Sequence, residues 1–330
     1  MIKNQVAAKG GEKYVPYSER SGNSSTVFFT RDLSPEGLCR IYDRICGALS
    51  GKIAVKLHTG EKNGPNIIPS AWVKQLMNEK LQGGVIVETN TYYDGDRYTT
   101  KRHRETLKVN GWDFCKVDIL DEDGTAMFKI NGGKWFNEMS VGKNLQNYDS
   151  LLVLTHFKGH AMGGFGGSNK NIGIGCADGR VGKGMIHTSA GSDDMWDINT
   201  EELMERITES TKSVTDHFGK NIAFINVMRN MSVSCDCEGC GAEPVVTPDI
   251  GIVASLDILA ADQASVDLVH ALVKKDRAAL VKRIESRHGY RQLSYMKELG
   301  MGNDLYPLID IDNGDKEITA ASAVLRVNKF

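Results

Sequence analysis

The 330-residue chain lacks a long apolar run, a basic tract and an internal repeat, and each absence removes a class of protein. No stretch approaches the ~20 apolar residues that a membrane span needs, so membrane insertion is not expected. Lys and Arg number 40 against 42 Asp and Glu, a net charge of -2, and no basic run exceeds a few residues. A nucleic-acid partner is therefore not expected either. The first 25 residues are polar and carry no apolar leader segment, which predicts a cytoplasmic protein. The seven cysteines are odd in number and widely spread, a poor basis for a disulfide framework.

What is present is ordinary globular composition, 41% hydrophobic and 25% charged, enough for one large α/β domain or two lobes. Residues 1–25 read as an N-terminal arm and 26–330 as the domain. Short apolar runs alternate with amphipathic stretches. Strands are predicted at 26–30, 52–58, 85–88, 115–119, 126–130, 151–154, 221–227 and 250–254. Helices are predicted at 34–49, 70–81, 97–111, 199–218 and 259–273, and two more over 277–300 broken near His288-Gly289. Ser34-Pro35 and Asn199 with Glu202 are the start signals of two of these. The cadence predicts a three-layer α/β fold, a mostly parallel sheet with helices on both faces. In such sheets ligands collect at the carboxyl ends of the strands. Three predicted strands end in polar clusters: Lys56/His58/Glu61, Thr89/Asn90/Thr91 and His156/Lys158/His160. One shared site explains that recurrence better than three scattered ones.

The chemistry concentrates between Leu151 and His187. A buried strand is followed by His156, Lys158 and His160, then by six glycines between Gly163 and Gly175, then by Cys176 and His187. Bare backbone suits close approach to a ligand. Gly163, Gly164, Gly166 and Gly167 are candidates for an anion-binding nest, with Asn90 beside them. The glycine run reads as a loop, as does 179–191, and its spacing matches neither of the two standard nucleotide-binding motifs. His58, His160, Lys158 and Lys170 are candidates for proton transfer or covalent chemistry. A second cluster, Cys235, Cys237 and Cys240, reads C-x-C-x-x-C. Thiolates packed this closely repel one another, and a cation relieves that repulsion. Three ligands suit a divalent metal (zinc, iron or nickel) with an open position. With a fourth from Cys176 they suit an iron–sulfur cluster. Asp262 falls on an apolar helix face, where a carboxylate needs a partner: a salt bridge, a helix cap or a ligand to orient. His103, His217 and His270 read as surface or helix positions without a role.

The segments THFKGHAMGGFGGSNKNIGIGCADGRVGK, IAVKLHTGE, PDIGIVAS and ADQASVDLV, with the CDC of the cysteine loop, resemble the family called domain of unknown function 362. Its members are commonly labelled uncharacterised iron–sulfur centre proteins. Many carry a ferredoxin-like insertion after the position of His187, which is missing from this sequence. His160, Gly164-Phe165, Gly167, Lys170 and His187 are also similar to the signature of nickel-dependent lactate racemases. That second resemblance implies a nickel-pincer nucleotide on Lys170, nickel ligation by His187 and acid/base work by His160. The readings to be tested are a metal- or iron–sulfur-dependent redox enzyme acting on a small anion, with room for a redox partner protein; a racemase- or isomerase-like enzyme; and a non-catalytic metal-binding protein.

Overall fold

The computed structural model describes residues 10–189, 192 and 194–327. The strands, in chain order, are β1 (Val27–Thr30), β2 (Ile53–Lys56), β3 (Val85–Glu88), β4 (Val117–Ile119), β5 (Thr125–Lys129), β6 (Glu138–Gly142), β7 (Ser150–His156), β8 (Lys158–His160), β9 (Gly164–Gly166), β10 (Ile222–Met228), β11 (Gly251–Ser255), β12 (Leu308–Asp310) and β13 (Lys316–Ile318). Nine of them form one sheet in the order β13-β12-β1-β11-β10-β7-β2-β3-β4. The run from β10 to β4 is parallel throughout. β11 is antiparallel to both its neighbours, β1 and β10. β5 pairs with β6, and β8 with β9, as separate antiparallel hairpins.

The helices are α1 (Pro35–Tyr42), α2 (Ser70–Glu79), α3 (Thr100–Val109), α4 (Ser168–Gly175), α5 (Val181–His187), α6 (Thr200–Phe218), α7 (Ile258–Ala271), α8 (Lys274–Ser286), α9 (Arg291–Glu298) and α10 (Ala320–Ala323). Successive residues of a strand face opposite sides of the sheet, and here both sides are covered. Leu152 and Leu154 of β7 join Leu38, Ile41, Val73, Leu76 and Leu107 from α1, α2 and α3. Leu151 and Val153 join Ile172, Ile207, Val214, Leu259 and Val266 from α4, α6 and α7. The expected three layers are present. Ser34 caps α1 by accepting from the Gly37 amide, and Asn199 caps α6 by accepting from Glu201 and Glu202. The described part of the N-terminal arm is held down: Arg20 pairs with Asp267 at 2.6 Å, and Tyr14 stacks on His270 at 3.7 Å. Among the described residues no helix is long and apolar enough to cross a membrane.

Two expectations need correction. The glycine run is not a loop but the β8–β9 hairpin followed by α4, and residues 181–187 of the expected 179–191 loop form α5. Positions 190 and 191 lie outside the described residues. Glycine disfavours helix intrinsically, and tertiary packing overrides that preference. A Cβ on Gly173 would stand 2.5 Å from the Ile207 carbonyl of α6, and one on Gly175 would stand 2.2 Å from Lys56 Cε. Gly164 adopts φ +75° where the hairpin turns against Gly289. The glycines let a helix and a hairpin press onto neighbours that any side chain would push away.

Candidate functional site

The parallel strands β2, β3 and β7 deliver Lys56, Glu88, Thr155 and His156 to one end of the sheet, and a cavity of about 390 Å³ opens there. That is the end where the fold was expected to place a ligand. The volume lies near the lower end of small-molecule pockets, roughly 300–1,000 Å³. His58, Lys158, His160, Gly166, Gly167, Lys170, His187 and Cys237 all line it. Residues more than a hundred positions apart converge.

One wall is made of matched charges. Lys56 donates to Glu88 at 3.1 Å, and Arg97 reaches Glu61 at 2.9 Å and Glu88 at 3.4 Å. Burial opposes the Glu88 charge, but Lys56, Arg97 and His58 around it hold the carboxyl well below its usual range. Asn171 of α4 accepts from Lys56 Nζ and donates to the Leu154 carbonyl and Thr155 Oγ1, pinning the helix to the strand ends. Lys183 of α5 gives its three protons to Thr89 Oγ1, the Asn90 carbonyl and the Ala177 carbonyl. Burial brings its pKa down to about 8, against the pull of Asp121 and Glu88.

The cysteine loop adjoins this wall, with the Glu61 amide donating to the Asp236 carbonyl. Residues 236–241 form a short turn in which Cys235 Sγ accepts from the Cys237 amide, while the Glu238 carboxylate accepts from the Cys235 amide. Asp236, between the two cysteines, bonds His156 at 2.9 Å and Lys158 at 2.8 Å, clamping the loop to the end of β7. His156 has its other ring nitrogen on the Arg229 carbonyl at 2.7 Å, so both its nitrogens face acceptors. Burial opposes the Lys158 charge, but Asp236 holds the pKa above the ordinary lysine value. Lys158 is therefore a fixed cation, not the deprotonated amine its sequence position allowed.

His160, Cys235 and Cys237 bring one ligand atom each to within 4.8 Å of one another. Burial would raise the Cys235 pKa, but hydrogen bonding from Cys237 and the nearby Lys170 and His160 push it well below the usual thiol value. Cys237 moves the other way, because it shares its proton with Cys235 and is itself buried. Each imidazole here has a fixed orientation. His160 Nδ1 accepts from the Met162 and Gly163 amides at 3.1 and 2.9 Å, and His58 Nδ1 accepts from the Gly60 amide at 2.9 Å. Nε2 is left to face Cys235, to which both side chains bond. His187 is the reverse: Nδ1–H donates to the Lys183 carbonyl at 2.8 Å, so in the neutral ring Nε2 carries the bare lone pair. Burial, with Lys170 adding to it, lowers His160 to about 4; the same two causes lower His187 to about 4 against its backbone bond.

The other expected residues go elsewhere. Cys240 is exposed, directed at the Lys62 and Asn63 carbonyls, and lines an outer cleft rather than the cavity. Cys176 sits in the core behind α4, where burial pushes its thiol to about 12. Neither joins the Cys235–Cys237 pair, so a cluster held by four cysteines does not fit these residues. The Asn90 side chain bonds Thr100 and His103, not the cavity, and His103 is buried rather than on the surface. Four amides in and beside the glycine run are committed: Met162 and Gly163 to His160, and Ser168 and Asn169 to Asp262 at 2.7 and 2.9 Å. Asp262 is thus a helix cap, and it fills the N-terminus of α4 where an anion would otherwise bind. Burial raises its carboxyl to about 6 despite those bonds. Sequence reasoning placed Lys56 at the shared strand ends but passed over Glu88, Arg97, Asn171, Lys183 and Asp236 as site residues. Only Asp236 carried a signal, an acid between two candidate ligands.

A family model described as a domain of unknown function (DUF362) matches residues 53–267. The chain belongs to that family. The matched span of this DUF362 member runs from β2 to α7 and contains Lys56, His160, Lys170, His187, Cys235, Cys237 and Asp262, so the cavity is made almost wholly of family sequence. No curated protein matches the chain. Among solved structures it is similar to the lactate racemase apoprotein from Thermoanaerobacterium thermosaccharolyticum, at 10% identity and TM-score 0.38 over 87% of this chain and 84% of that one. It is also similar to a Thermotoga maritima protein from a structural genomics programme, at 11% identity and TM-score 0.37 over 58% of this chain and 49% of that one.

Proposed function

We propose that this protein is a metal-dependent enzyme acting on a small anion, with the metal held by His160, Cys235 and Cys237. The observation that carries this is the approach of those three ligand atoms to within 4.8 Å, two of their residues, His160 and Cys237, lining a cavity that Lys170 also lines. Two thiolates and one imidazole form a soft donor set that suits zinc, iron or nickel and leaves a coordination position open. A bound iron or nickel would supply redox chemistry, and a bound zinc would polarise a substrate oxygen. The chain itself orients the set: Asp236 holds the cysteine loop, the Met162 and Gly163 amides turn His160, and His58 bonds Cys235. The nickel-pincer nucleotide implied by the racemase resemblance would meet Lys170 and His187 in the cavity. The Gly163, Ser168 and Asn169 amides, which could have seated its phosphate, are already taken by His160 and Asp262.

The test is metal analysis after purification without air. About one equivalent of metal is expected in the native protein, lost in Cys235→Ser and His160→Ala while circular dichroism stays unchanged. Metal absent from the native protein after exposure to zinc, iron and nickel in turn contradicts the proposal. Metal bound without any anion binding would leave a non-catalytic metal-binding protein.

A second reading, proton transfer in an isomerase- or racemase-like reaction, is favoured by His187. Its fixed ring offers a lone pair to the cavity, beside Lys170, whose charge would stabilise an anion formed there. A substrate proton that exchanges with deuterium in the native protein but not in His187→Gln supports that reading.

A further inference from the structure

The cavity selects its anion by what is left uncommitted. Three of its cations already have partners: Lys56 is paired with Glu88, Arg97 with Glu61 and Glu88, and Lys158 with Asp236. Lys183 has no carboxylate within salt-bridge distance among the described residues, but its three protons are used by neutral oxygens. It contributes positive potential and no free donor. Lys170, in the first turn of α4, has neither an ion pair nor a hydrogen bond among the described residues, and its charge acts on His160, His187, Cys235 and Cys237. Among the described residues a single ammonium is therefore the one cationic donor free to meet a ligand.

Phosphate is usually seated by several converging donors: a helix N-terminus, a run of backbone amides or an arginine fork. Each of these is present at the cavity and each already has a partner within the protein. Asp262 takes the Ser168 and Asn169 amides of α4, His160 takes the Met162 and Gly163 amides, and Glu61 and Glu88 take the Arg97 guanidinium. A carboxylate asks for less, since a single ammonium can hold it through one charge-assisted hydrogen bond. The lining also has an apolar part, to which Tyr92, Met162, Ile174 and Trp196 contribute. A bare acetate would leave that wall facing water, whereas an apolar body buried there gains about 25 cal/mol per Å².

We propose that the substrate class is a carboxylate with an apolar or aromatic body, its carboxylate on Lys170 and its body against Tyr92, Met162, Ile174 and Trp196, and that phosphorylated molecules are excluded. This deepens the enzyme reading above but rests on the cavity alone and does not require the metal.

Calorimetric titration of the full-length protein at pH 7.5 with phenylacetate, acetate, phenyl phosphate and benzylamine tests it, with metal content measured on the same samples. Phenylacetate is expected to bind one per chain, at least about tenfold more tightly than acetate or phenyl phosphate, and benzylamine not at all. Lys170→Met should weaken phenylacetate by about tenfold or more, the worth of one charge-assisted hydrogen bond. Lys170→Arg should retain part of the affinity, with the thermal midpoint of both variants near that of the native protein. Should Lys170→Met fail to fold, Ile174→Asp provides the independent check, by removing the preference of phenylacetate over acetate. Equal binding of acetate and phenylacetate, tighter binding of phenyl phosphate, or unchanged affinity in Lys170→Met overturns the inference. If the carboxylate preference fails while metal is bound, only this inference falls. If the preference holds in a protein that takes no metal, only the metal reading falls.

Discussion

Two buried aspartates organise two separate networks of this molecule, and their difference separates structure from chemistry. Asp267 receives Arg20 through two bonds, with Tyr14, Tyr306 and Gln263 completing its shell. Every acceptor site is taken, and the result fastens the N-terminal arm to α7. Asp236 receives His156 and Lys158 by the same kind of bond, yet the residues on either side of it are Cys235 and Cys237, which meet His160 at the cavity that Cys237 lines. A buried ion pair is weak evidence for a site. What marks the second region is ligand capacity left over after the local network is satisfied: two sulfurs, two imidazole nitrogens and one ammonium.

Breaking each hub should therefore give different outcomes. Asp236→Ala leaves Lys158 and His156 buried without their carboxylate, at a cost of about 3–5 kcal/mol, and frees the cysteine loop. Urea denaturation should show the loss in stability, and metal content should fall with it. Asp267→Ala should cost about the same for the same reason, with Arg20 stranded at the surface of α7. Metal content and phenylacetate affinity should there remain native. A loss of metal in Asp267→Ala would mean that the two hubs are coupled and the comparison fails.

A smaller effect is expected at Gly175. Its Cβ would meet Lys56 Cε at 2.2 Å, so Gly175→Ala should displace the lysine from Glu88 at about 1–3 kcal/mol, the usual cost of overpacking. The same substitution at Gly219, where nothing lies within 4 Å but φ is +58°, tests backbone strain without that collision. Smaller still per group is the response to acid. His187 is lowered to about 4 and His103 to about 3, both by burial, from an ordinary value near 6.5. The unfolded chain then binds more protons than the native one as pH falls below about 6.5. Each histidine should remove about 1.4 kcal/mol of stability per pH unit down to its folded value. Asp262, raised to about 6, acts in the opposite sense between about 4 and 6, where the native state holds the extra proton. Denaturation midpoints from pH 7 to 5 should fall, and His187→Gln should flatten the slope while Asp262→Asn steepens it.

The sheet, its parallel core and the helix caps were legible because they rest on local signals: apolar runs such as Leu151–Leu154, and Ser34 and Asn199 at helix starts. Convergence of the polar strand ends was legible for the same reason, since the topology rule needs only the strands. The glycine run was misread because its helix is fixed from outside, by Asp262 at one end and α6 along its side, more than 30 residues away in sequence. The cysteine loop was half legible. Spacing made three sulfurs equivalent, but one turn of the chain sends Cys240 outward and Cys235 inward. Lys183 gave no sign at all, because its partners are main-chain carbonyls that any sequence supplies.

The most direct test of the central claim is X-ray absorption at the metal edge of protein reconstituted with zinc or nickel. For zinc, two sulfur neighbours at about 2.3 Å and a histidine nitrogen at about 2.0–2.1 Å are expected, with one sulfur lost in Cys237→Ser. A shell of nitrogen and oxygen alone, or one of four sulfurs, would contradict a centre built from His160, Cys235 and Cys237.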